Sequence, residues 1–114
     1  MTTRTSNKNA YSLVMAKEKF TASNLFGEWV TCWNDGVHNE LFVVYSYGYH
    51  FPMWIWDENV KEWVGNSDKY SRSTTRQQSQ TKPANVSAWY STEQMKRLIG
   101  FGGLVGFVAD KARS

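Results

Sequence analysis

Residues 28 to 33 read Glu-Trp-Val-Thr-Cys-Trp. The alternation sets Trp29, Thr31 and Trp33 on one side of an extended segment and Val30 and Cys32 on the other. Asn34-Asp35-Gly36 follows, residue types that tolerate positive φ, and predicts a hairpin turn. The return strand, about Glu40 to Tyr47, is apolar or aromatic at both parities, which is the pattern of a central strand covered on both faces. Phe51 to Trp56 resumes it, with Pro52 confined to a strand start or an open side because it has no N–H to donate. Asp57-Glu58-Asn59 turns the chain, Lys61 to Val64 returns, and Gly65-Asn66-Ser67-Asp68 breaks the pattern again. Four antiparallel strands in sequence order result, and Val86 to Tyr90 adds a short fifth.

The period then changes. Ser91 followed by Gln94 has the form of a capping box, and Met95, Leu98 and Ile99 recur at helical spacing until Gly100, predicting a short helix over about 92–99. Tyr11 to Phe20 fits helix and strand equally well, and its apolar residues tether it to the core. The fold class expected is therefore α+β: a small antiparallel β-meander of about four or five strands with a short C-terminal helix. Residues 1–10 are expected to be a flexible N-terminus and 11–114 a single domain, ending in a glycine-rich apolar tail at 100–109.

At 114 residues the chain has room for one modest core, and its six Trp, six Tyr and six Phe imply that rings build it, with some left over for a partner. Cys32 is the only cysteine, which excludes an internal disulfide and a cysteine-cluster metal site and suits a reducing cytoplasm. Residues 1–10 lack the apolar stretch of a secretory signal, and the run Ile99 to Ala109 is far shorter than the roughly 20 residues a bilayer requires. No membrane partner is expected. The net charge of +3 is unevenly held. Residues 1–66 carry five basic against seven acidic side chains, whereas 67–114 carry eight against three, an asymmetry that hints at a polyanionic partner.

Candidate chemistry is thin. His38, His50 and Cys32 are the only side chains suited to nucleophilic, neutral-pH base or soft-ligand roles. His38 beside a hairpin turn and Cys32 within an alternating strand read as structural. His50, among the hydroxyls of Tyr45-Ser46-Tyr47-Gly48-Tyr49-His50, defines a candidate polar site with Tyr47 and Asp68, and Asp57 is a further carboxylate able to approach it. No catalytic constellation, metal site or cofactor is expected. The glycines from Gly100 to Gly106 fail dinucleotide-loop spacing, because Val105 occupies the last glycine position. The strongest functional signal is the stretch from Lys69 to Lys82. Lys69, Tyr70, Arg72, Arg76, Gln78, Gln80 and Lys82 are the cationic, amide and aromatic types that contact phosphate, sugar and bases. Nearby Trp63 is a further ring able to stack. Without an apolar residue from Ser71 to Lys82, that segment is expected to contribute no buried face.

Tyr45-Ser46-Tyr47-Gly48-Tyr49-His50-Phe51-Pro52, with Trp63, Asn66, Asp68-Lys69-Tyr70-Ser71 and the run to Gln80 and Pro83, resembles a small domain found in proteins of tailed bacteriophages. The resemblance covers about residues 25–83. It implies an origin without an assigned activity, and no catalytic residue carries over. The family favours histidine where this chain has Gln77, a departure that counts against an enzyme.

Three functions follow as expectations. The first is a non-enzymatic phage accessory protein that binds a host or anti-phage-defence macromolecule in the cytoplasm of the infected bacterial cell. The second is a small nucleic-acid-binding module using the basic loop 69–82, and the third a hydrolase or nuclease centred on His50. A homodimer is also expected, from unpaired outer strands and the apolar tail.

Overall fold

A computed structural model describes residues 3–6, 9–22, 24–34, 37–68, 76, 78–79, 81–83 and 85–104. Along the chain run β1 (Thr3–Arg4), α1 (Ala10–Ala16), β2 (Phe20–Thr21), β3 (Leu25–Asn34), β4 (Val37–Ser46), β5 (Pro52–Asp57), β6 (Glu62–Asn66), β7 (Val86–Tyr90) and α2 (Thr92–Gly100). The seven strands form one sheet in sequential order. The expected α+β meander with a C-terminal helix is therefore present, with two more strands than the upper expectation. β1 and β2 hold two residues each, too few to leave a periodic signal in sequence. Adjacent strands from β2 to β6 pair antiparallel, whereas β1 with β2 and β6 with β7 pair parallel. The parallel closing pair departs from the all-antiparallel expectation, because the long 67–85 connection lets the chain re-enter the sheet in the same direction.

β3 and β4 pair without interruption from Leu25↔Ser46 to Asn34↔Val37. The turn expected at 34–36 rests on Asp35 and Gly36, which lie outside the described residues. β4 is central and buried from Leu41 to Ser46, as its two-faced apolar pattern requires. Pro52 takes the first position of β5. The ambiguous 11–20 stretch resolves into both alternatives, α1 followed by β2, with Lys17 turning between them at φ 55°.

The register sorts side chains by face. Trp29 opposes Phe42, Phe42 opposes Trp56, and Trp56 opposes Trp63, while Gly65 opposes both Trp54 and Trp89. Trp33 shares the parity of Trp29, so all six tryptophans lie on one face of the sheet. That face packs with Ala10 and Val14 of α1 and with Phe20. The opposite face, with Leu41, Val43, Ile55 and Val64, packs against Met95 and Leu98 of α2. The one core anticipated from length is thus divided by the sheet into two layers. Gly65 permits the tryptophan layer: a Cβ there would lie 2.5 Å from Trp54 and 2.7 Å from Trp89.

Candidate functional site

Strand direction gathers one candidate set at one end of the sheet. β4 ends and β5 begins there, and β6 and β7 both end there, which brings the 47–50 turn, Asn66–Asp68 and the start of α2 together. Tyr47 and Gly48 supply the turn's positive φ angles, 61° and 129°. Asn66 ties the end together. Its amide donates to Pro52 O at 2.8 Å and to Thr92 Oγ1 at 3.0 Å, while its Oδ1 accepts from Asp68 N at 2.8 Å. The Asp68 carboxyl bonds to the start of α2. Its Oδ2 accepts Thr92 N at 2.8 Å, and bonding to the Thr92 backbone and hydroxyl holds its carboxyl below the usual range. Tyr47 and His50 are both exposed.

Asp57 lies at the other end of the sheet, far in the fold from the turn bearing His50. It is buried and saturated: Oδ1 accepts from Asn39 Nδ2 at 3.0 Å and Asn59 N at 2.9 Å, and Oδ2 accepts from Leu104 N at 2.7 Å. Asn39 Nδ2 also donates to Gly102 O at 2.8 Å. Gly103, at φ 127°, has no room for a side chain, since a Cβ would meet the Asn39 amide and lie 2.5 Å from Asp57 Oδ2. These bonds lock the exit of α2 onto β4 and β5. Asp57 is structural, and the sequence signal for it was the Asp-x-Asn turn pattern alone.

The remaining candidates lie on β4 and β3. His38 packs on Trp33 with ring centroids 4.9 Å apart. Cys32 is half-buried with Sγ 3.8 Å from Ile99 O, and burial, followed by the charge of Asp57, pushes its thiol up. Among the described residues no group of three or more His, Cys, Asp or Glu is placed to hold a metal ion.

Of the seven residues singled out between 69 and 82, Lys69, Tyr70, Arg72 and Gln80 lie outside the described residues. Arg76 is exposed on helical backbone and Lys82 is exposed with Nζ 5.7 Å from the Trp89 ring. Gln78 faces inward: it is buried, and its Nε2 donates to Asn66 O at 2.9 Å. Thr81 is buried as well, with Oγ1 accepting Trp54 Nε1 at 2.9 Å. The expectation that this segment contributes no buried face is corrected on this point. Its buried groups are polar; the inward hydrogen bonds of Gln78 Nε2 and Thr81 Oγ1 offset part of their desolvation, while Gln78 Oε1 is buried without a hydrogen-bond partner among the described residues. Lys82, Asn85, Val86, Ser87 and Trp89 line an open groove of about 390 Å³. Trp63, offered as a stacking ring, is buried in the tryptophan layer.

Sequence reasoning missed which rings stay outside. Trp33 is 71% exposed, Tyr49 66% and Trp89 47%. On the α2 face Phe26, Tyr45 and Tyr49 form a cluster with centroids 4.9–5.1 Å apart. Burial first, then the Glu28 carboxylate and Tyr49, push the Tyr45 hydroxyl up to about 12. A hydrogen bond to Glu28 raises Tyr49. This is an aromatic surface with an acidic edge. No family model, no curated protein and no solved structure matches this chain.

Proposed function

We propose that this chain is a non-enzymatic accessory protein, phage-encoded as the resemblance implies, that binds a host or anti-phage-defence macromolecule in the infected bacterial cell. The observation that carries the reading is the exposure of Trp33, Tyr49 and Trp89 on a fold that buries Phe20, Phe42, Phe51, Trp54 and Trp63. Exposed aromatic side chains offer large contact area at low entropic cost, and such rings dominate binding energy at protein interfaces. The test is affinity capture from host lysate with the wild-type chain and with Tyr49→Ser and Trp89→Ser. One stoichiometric partner, lost with at least one variant that keeps its circular dichroism spectrum, is the expected result. No stoichiometric partner, or one retained equally by both variants, rejects an aromatic docking surface at these rings.

A nucleic-acid partner is the second reading, favoured by Lys82 over Trp89 beside the open groove. A cation and a stackable ring at one site match the chemistry that holds single strands. We infer further that the chain self-associates, since β3 runs past its two-residue partner β2 and is paired on one side only beyond Gly27 among the described residues, and an open sheet edge must be covered or protected.

A further inference from the structure

β3 carries an unfinished edge. β2 pairs with it only at Phe26 and Gly27, so from Glu28 to Asn34 the strand is paired on its β4 side alone among the described residues. Two hydrogen bonds identify which groups face outward. Leu25 O accepts from Ala22 N at 2.8 Å on the β2 side, and Asn24 O accepts from Tyr47 N at 2.8 Å on the β4 side. In an antiparallel ladder successive residues direct their main-chain groups to opposite sides. Trp29, Thr31 and Trp33 therefore aim N–H and C=O at the open edge, while Glu28, Val30 and Cys32 aim theirs at β4. This stretch holds no proline, lysine or bulge; Glu28 is its one charge, and the α1–β2 turn reaches it at Trp29, whose Nε1 donates to Lys17 O at 2.9 Å and leaves the main chain of Trp29, Thr31 and Trp33 facing outward.

We propose that this edge pairs antiparallel with the same edge of a second copy, about a two-fold axis at Thr31, joining two sheets into one. The proposal rests on the reading that the chain self-associates, and it names the surface and register. The rotation sets Thr31 against its own copy, Trp29 against Trp33, Val30 against Cys32 and Glu28 against Asn34. The Thr31 pair and the two Trp29–Trp33 pairs all use outward-facing groups, so about six main-chain hydrogen bonds form. On the tryptophan face each exposed Trp33 gains Trp29 as a cross-strand neighbour, the aromatic pairing that stabilises sheets. On the other face Val30 and Cys32 extend the α2 layer, where Ile99 and Phe101 are only partly buried. No charge meets its like. A second copy fits better than a foreign strand because the segment complements itself only in this register. An axis at Val30 would pull in Gly27, already paired with Phe20, and an axis at Cys32 would lose the Trp29–Trp33 pairs.

The test measures solution mass from micromolar to submillimolar concentration for the wild type, Thr31→Lys, Thr31→Glu and an equimolar mixture of the two variants. Thr31 is exposed, so each variant folds, checked by circular dichroism. The wild type is expected at twice 13.2 kDa, each variant alone at 13.2 kDa, and the mixture at the dimer mass, because the axis sets Lys directly against Glu. A monomeric wild type overturns self-association and this interface with it. A dimeric wild type whose mass neither substitution changes leaves self-association standing and overturns the β3 edge. Variants that dissociate alone and fail to reassociate on mixing overturn the two-fold register at Thr31.

Discussion

Single residues hold this fold where polar groups are buried. Asp57 accepts from three elements at once: from Asn39 on β4, from Asn59 in the turn after β5, and from Leu104 beyond α2. Asp57→Ala strands those donors in a buried site at about 1–3 kcal/mol each, so a loss of about 3 kcal/mol or more is expected in urea unfolding. An unchanged midpoint would show that the lock contributes nothing. From sequence Asp57 reads only as a turn former. Its burial depends on Leu104, 47 positions away, and on a bare backbone at Gly103, relations that periodicity does not encode. Trp63 and Trp33 make the complementary comparison. Trp63 is buried under the sheet, so Trp63→Ala should cost about 3–5 kcal/mol. In the isolated subunit Trp33 stands in solvent, and Trp33→Ala should change subunit stability by no more than about 0.5 kcal/mol. Equal effects in thermal melts at concentrations too low for association would contradict the assignment of the two rings.

Elements with local signals were the legible ones. The capping box at Ser91 is present in full: Gln94 N donates to Ser91 Oγ at 3.2 Å, and Ser91 N donates to Gln94 Oε1 at 2.9 Å. The helix ends within one residue of the sequence reading. Ser91→Ala should cost about 1 kcal/mol, read as a lower urea midpoint. The strands from β3 to β6 were legible for the same reason, since alternation and turn residues act over a few neighbours. The direction of β7 was not, because it depends on the path of the whole 67–85 connection. Asp68 adds an acidic arm to the helix start that only the folded chain creates. Bonding to Thr92 lowers its carboxyl from 3.8, so the folded state favours the charged form. That contribution is complete above the ordinary carboxylate value and disappears as pH falls through the lowered one. The stability gap between the wild type and Asp68→Asn should therefore be flat near neutrality and close below about pH 4. A gap that widened in acid would reverse the sign.

At the scale of the molecule, the sheet separates two kinds of surface that the linear sequence mixes. The six tryptophans span residues 29 to 89, and only register reveals that they share a face. The candidate basic site was legible in composition but not in placement. Gln78 turns inward to satisfy Asn66, while Arg76 and Lys82 stay in solvent and Lys82 lies over Trp89. The positive excess of residues 67–114 therefore presents at least two exposed cations from this segment, one of them beside the open groove. If this surface binds a polyanion, each neutralised duplex phosphate adds about 0.9 to the slope of log affinity against log salt, and each single-strand phosphate about 0.7. Arg76→Ala combined with Lys82→Ala should flatten the duplex slope by about 1.8 and weaken binding alike across sequences, since phosphate contacts carry no base information. Stability should fall by no more than about 1 kcal/mol, the most that an exposed cation over a ring contributes. Trp89→Ala should act differently: it leaves the duplex slope unchanged but weakens single-strand binding by about 1–3 kcal/mol through lost stacking. A binding titration across a salt series, run on duplex and single-stranded oligonucleotides with all three proteins, separates these contributions. Retention at low salt that none of the substitutions alters would remove the groove from any account of nucleic-acid binding and leave the proposed aromatic docking surface as the reading to test.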